Sequence, residues 1–119
     1  MNTTAQGNTN ASQRNGVASH VDPLRLAAEQ EDADAQYDLA LAYDDGEGVP
    51  QNDALAAEWF ARAAEQGHAP AQYNLGVAYV LGRGVLQDDA LAAKWWKRAA
   101  AQGYAIAKQN LERRMRAFA

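Results

Sequence analysis

The sequence predicts an all-α solenoid of stacked helical hairpins, on three observations. Residues Ala27–Arg62 are written again at Ala63–Arg98, with an offset of 36 at every anchor. Each unit holds two stretches with apolar residues at helical spacing, separated by a pair of glycines. Alanine crowds the positions where neighbouring helices would touch, as at Ala56, Ala57, Ala63 and Ala64. A hairpin of this length cannot bury both faces alone, so stacking on the next unit must stabilise it.

Taken in order, residues 1–20 read as a disordered polar tail. Met1–Ser19 is rich in Asn, Thr, Ser, Gln and Gly and has almost no large apolar side chain to offset its ordering entropy. The repeat domain spans 21–119. Asp22–Leu26 leads into Ala27-Ala28 and predicts a short helix in the place of an earlier unit's second helix. Call the first helix of each unit A and the second B. Ala35, Leu39, Ala42 and Tyr43 fall at i, i+4, i+7 and i+8, as do Ala71, Leu75, Ala78 and Tyr79, so A helices are expected over roughly 33–45 and 69–81. Pro70 suits the first turn of the second.

B helices are expected to start on Asp53 and Asp89 as N-caps and to run to Gln66 and Gln102, where Gly67 and Gly103 stop them. The repeats are therefore about 33–68 and 69–104. The third copy opens at Ala99 and continues as a half-repeat cap over 105–118, with Ile106, Leu111 and Met115 as its expected buried side. That makes six helices. Trp59, Phe60, Trp95 and Trp96 are expected to fill the wider gaps between helices, and Val49 and Val85 to tuck under the hairpins. Adjacent tryptophans cannot share one helix face, so one of Trp95 and Trp96 is expected to be partly exposed.

Composition narrows the function. The formal charge of −4 gives no general attraction to nucleic acid, and no segment is long enough to cross a bilayer. The front lacks the basic start and apolar run of an export signal, and the chain has no cysteine. The expectation is a cytoplasmic location. Met1 and the polar tail lead to the expectation of a complete small protein.

Nothing suggests a catalytic set or a cofactor. Ser12 and Ser19 both fall in the tail; His20 and His68 have no second ligand at helical spacing. Asp44, Asp45, Glu47, Asn52 and Asp53 gather oxygens in one loop, but their order fails the calcium-loop spacing, so no metal is expected. The tryptophans are expected to be core, not a ligand cage.

The pattern Ala69-x-Ala71-Gln72-Tyr73-x-Leu75-Gly76-x-x-Tyr79, then Gly82-x-Gly84-Val85, then Asp89-x-x-x-Ala93, Trp95 and Ala99-Ala100-x-Gln102-Gly103, resembles the Sel-1-like repeat, a relative of the tetratricopeptide repeat. The first unit departs from it at Ala40, where glycine is usual, and at Glu31, which stands where the others have Gly67 and Gly103. The resemblance covers roughly 24–112. It implies a right-handed α/α superhelix that serves as a non-catalytic adaptor for protein partners. It also implies that the A helices line the concave side.

The concave candidates for partner binding are then Asp38, Leu41 and Asp45 from the first A helix and Asn74, Val77, Val80 and Leu81 from the second. The third supplies Arg113 and Arg116. Asp44, Lys108, Glu112 and Arg114 lie on the same helices. The strip runs from acidic through apolar to basic, which predicts a peptide or domain with an apolar centre and complementary charged ends. Charging Val77 and Val80 together is expected to abolish capture without loss of stability. Two other readings stand beside this one: a module for cell-wall or antibiotic-like small molecules, and a structural protein that is a monomer or weak homo-oligomer through its incomplete terminal repeats.

Overall fold

Helix boundaries follow local capping chemistry. The structure is a computed structural model that describes residues 18–118. Its helices are α1 (Ala18–Glu29), α2 (Ala33–Asp45), α3 (Asp53–Glu65), α4 (Ala69–Leu81), α5 (Asp89–Ala101) and α6 (Ala105–Phe118). Six helices and no strand occur among the described residues. Residues 1–17 of the expected tail lie outside the described residues, and α1 begins at Ala18.

The N-caps of the B helices lie one residue before the expected ones. Asn52 and Asp88 are the N-caps, accepting from the backbone N–H of Leu55 and Leu91, each at 3.0 Å. Asp53 and Asp89 are the first helical residues, where their charge meets the positive end of the helix dipole. The neighbouring Asn and Asp satisfy the same donor, so residue type alone cannot separate cap from first turn. His68, in the loop between α3 and α4, caps α4: Nδ1 accepts from Ala71 N–H at 3.2 Å, and Nε2 faces Asp34 Oδ1 at 2.9 Å. Nδ1 is therefore the unprotonated nitrogen and Nε2–H the donor to Asp34.

Every helix packs chiefly on its neighbours in sequence, α1 on α2 through to α5 on α6. The molecule extends 70 × 23 × 18 Å. This is an α/α solenoid. One core cluster gathers Ala40, Phe60, Leu75 and Trp95 between the hairpins. A second joins Val21, Ala28, Ala35 and Leu39 where α1 meets α2. A third joins Trp96, Ala99 and Ala107 where α5 meets α6.

Trp95 and Trp96 correct the expectation that one of them is partly exposed. Both are buried, Trp95 at 9% exposure and Trp96 at 3%. A B helix sits between two neighbours, so adjacent rings can enter different clusters. Trp96 Nε1 donates to the Tyr73 carbonyl at 3.0 Å, which satisfies its one polar atom. Trp59 and Trp95 are each covered by the arginine three residues on, with Arg62 at 4.4 Å and Arg98 at 4.8 Å from the ring centroids.

Buried glutamines tie the units together. Gln36 Nε2 donates to the Ala28 carbonyl at 3.0 Å and Gln36 Oε1 accepts from Gln66 at 2.8 Å. One unit on, Gln72 Nε2 donates to the Ala64 carbonyl at 3.0 Å and Gln72 Oε1 accepts from Gln102 at 3.1 Å. Each glutamine of an A helix thus links the B helix before it to the B helix after it.

The buried side of α6 also differs from expectation. Ile106 is 44% and Met115 66% exposed, while Ala107 is fully buried and Asn110, Leu111 and Arg114 are half-buried. Shifting by one repeat explains this: Ala107 stands where Ala71 does, and Ile106 where Pro70 does. Apolarity misled where the repeat register would have served. Val49 and Val85 are half-buried, as expected.

Candidate functional site

Two depressions on the solenoid are one site seen twice. The first is lined by Leu24 of α1, Asp38, Leu41, Ala42 and Asp45 of α2, and Glu47 in the loop that follows; it encloses about 470 Å³. The second, of about 110 Å³, is lined by Phe60 of α3, Asn74, Val77 and Ala78 of α4, and Arg83 in the next loop, with Asp44 and Asp53 at its edge. A shift of 36 carries Leu24 to Phe60, Asp38 to Asn74, Leu41 to Val77, Ala42 to Ala78 and Glu47 to Arg83. The same shift names a third surface at Trp96, Asn110, Arg113 and Arg114.

Charge changes sign along this series. In the first depression Asp38, Asp45 and Glu47 are exposed, and among the described residues none has a cation within ion-pairing distance. In the second, Arg83 reaches back across the hairpins to Asp44 at 2.7 Å and Asp53 at 3.5 Å. Gly84 makes that reach possible. Its φ is 75°, and a Cβ on it would overlap the Asp53 carbonyl, so the loop lies directly on the start of α3. In the third, Arg114 pairs with Asp89 at 2.9 Å, while Arg113 and Arg116 are exposed.

Tyrosines lie between these sites. Asn110 Nδ2 donates to the Tyr73 hydroxyl at 3.1 Å. One unit earlier, burial pushes the pKa of the Tyr37 hydroxyl up.

The sequence candidates separate into two kinds. Asp38, Asp45, Leu81, Arg113 and Arg116 are exposed, Leu81 to 59%. Leu41, Asn74, Val77 and Val80 are half-buried. Val77 and Val80 pack against the cluster around Trp96. The expectation that both tolerate charge without loss of stability is therefore corrected: the same side chains serve the surface and the core. The depressions are also lined by Leu24 of α1 and Phe60 of α3, which the expectation that the A helices line the concave side passed over.

Residues 33–68 and again 69–104 match the Sel1 repeat. The chain belongs to the Sel1 repeat family. Proteins of this family are generally protein-interaction scaffolds, and their repeat fold is typically non-catalytic. Solved Sel1 proteins share the architecture. A protective antigen of uropathogenic Escherichia coli strains, c5321, with the same repeat fold, is 44% identical with a TM-score of 0.73, over 76% of this chain and 20% of that one. A Sel1 repeat protein of Oxalobacter formigenes is 42% identical with a TM-score of 0.74, over 76% of this chain and 26% of that one. The Helicobacter pylori cysteine rich protein B has a TM-score of 0.74 at 23% identity, over 76% of this chain and 68% of that one, a likeness of fold alone. The chain thus spans about a fifth to a quarter of the length of the first two. No curated protein matches it.

Proposed function

We propose that this Sel1 repeat protein is a non-catalytic scaffold that holds an extended or helical segment of a partner protein across its successive depressions. One observation carries the reading: the same depression occurs in two successive units, acidic in the first and internally neutralised in the second, and the equivalent surface on α6 is basic. A complementary segment places basic side chains by Asp38, Asp45 and Glu47, an apolar side chain by Phe60 and Val77, and acidic side chains by Arg113 and Arg116. The floors supply apolar area, and the rims supply orientation.

Selection from a random peptide library on the immobilised protein tests this. Enriched peptides should carry an apolar centre between a basic and an acidic end. Their binding should weaken at least several-fold in Asp38→Asn with Asp45→Asn, as expected for two rim charges. Enrichment with no charge order, or binding indifferent to that pair, overturns the reading.

A further inference from the structure

Charge is divided along the whole solenoid, not only along one strip. Residues 18–60 hold eleven Asp and Glu against the single Arg25, a net of −10. Residues 61–118 hold nine Lys and Arg against four acids, a net of +5. The two halves occupy opposite ends of a body whose longest extent is 70 Å. That distance is several screening lengths, so the ends do not neutralise one another within a molecule. A second molecule can bring them together.

We propose that copies of this chain associate head to tail, the basic α6 end of one seated on the acidic first depression of the next. Both surfaces are exposed. The acidic one presents Asp38, Asp45 and Glu47 around Leu24 and Leu41. The basic one presents Lys108, Arg113 and Arg116, with Ile106 and Met115 uncovered beside them. Like ends repel and unlike ends attract, which fixes the polarity of the contact. The contact joins two different surfaces, so it does not close on itself, and assemblies lengthen with concentration.

This is not a continuation of the repeat. Where α4 meets α5 through Tyr73, Gly76 and Val77, α6 carries Gln109, Glu112 and Arg113. A rigid, dry stack is thereby ruled out. The association is electrostatic, weak and sensitive to salt. It does not require the scaffold reading, although it would compete with a partner for the first depression.

Sedimentation velocity on the full chain tests it, at about 0.02 M and about 0.5 M salt, conditions that bracket weak and strong screening. The average mass should rise with concentration at low salt and return to the monomer at high salt. A groove variant (Asp38→Asn, Asp45→Asn, Glu47→Gln) and a tail variant (Lys108→Gln, Arg113→Gln, Arg116→Gln) change only exposed side chains, and circular dichroism should show both folded. Each alone should stay monomeric. Mixed in equal amounts, the groove variant's intact tail meets the tail variant's intact groove, and the mixture should give a one-to-one dimer and nothing larger. A wild type that stays monomeric at low salt, an association that survives high salt, or variants that assemble as the wild type does would each overturn the proposal. Loss of peptide capture with self-association intact would count against the scaffold reading alone.

Discussion

Gly76 gives Trp96 the space it occupies: a methyl group on that glycine would overlap the indole ring, whose Nε1 donates to the Tyr73 carbonyl at 3.0 Å. One unit earlier the same pair is Ala40 and Phe60, both buried in one cluster. The smaller ring leaves room for the methyl group. The difference between the two units at Ala40 and Gly76 is therefore matched by the difference 20 residues later at Phe60 and Trp96.

Gly76→Ala should destabilise the protein by about 1–2 kcal/mol, overpacking outweighing the gain in helix propensity. In a Trp96→Phe background the same change should be neutral or stabilising. Urea denaturation of the two single variants and the double variant checks this, and additive losses would show that the two positions do not share space.

Gln72 links α3, α4 and the end of α5 through two hydrogen bonds, the one to the Ala64 carbonyl buried and the one from Gln102 part-buried. Gln72→Ala should cost about 2–3 kcal/mol, since it leaves the buried Ala64 carbonyl without its donor. Gln102→Ala, at an exposed position, should cost about 1 kcal/mol or less. A double-mutant cycle should show coupling between them.

Glu31 holds a left-handed backbone, φ 69°, where the later units have Gly67 and Gly103. Its carboxylate takes hydrogen bonds from Arg62 at 2.8 Å, on the exposed surface, and from the buried Gln36 at 3.3 Å. Glu31→Gly should raise stability by about 0.5–1 kcal/mol, relief of backbone strain exceeding the exposed pair's worth. A lower melting midpoint would give the ion pair the larger share.

Leu81→Asp and Val80→Asp should separate binding from folding. Leu81 is exposed and its replacement should leave the melting midpoint within about 2 °C; Val80 packs by Trp96, and charge there should cost at least about 2 kcal/mol. Thermal melts decide it.

Alkaline pH should act through Tyr37. Burial raises its folded-state pKa above the unfolded value of about 10. The unfolded chain therefore ionises first as pH rises. Its contribution is whole below that value and is lost as pH climbs through the folded-state pKa. In Tyr37→Phe the alkaline fall in stability should be shallower, as denaturation at a series of pH values would show.

Most of the fold was legible because the repeat states each helix twice. The bounds 33–45 and 69–81 follow from Leu39, Tyr43, Leu75 and Tyr79 and from the left-handed glycines beyond them, Gly46 and Gly82. What escaped depends on neighbours in space. Trp96 is hidden because α6 lies beyond it, and Ile106 is uncovered because nothing packs on its side of α6 among the described residues. The acidic, neutral and basic sequence of the candidate strip could be read in advance. That Arg83 folds back to Asp44, 39 residues away, could not, since the close approach at Gly84 is a property of the assembled hairpins.

The glutamine links have a mechanical consequence. They join only adjacent hairpins, so tension applied at the two ends loads them in series. Stretching a single molecule should therefore peel hairpins away one after another, each giving its own force step, with the α5–α6 pair, which has no glutamine at position 108, yielding early.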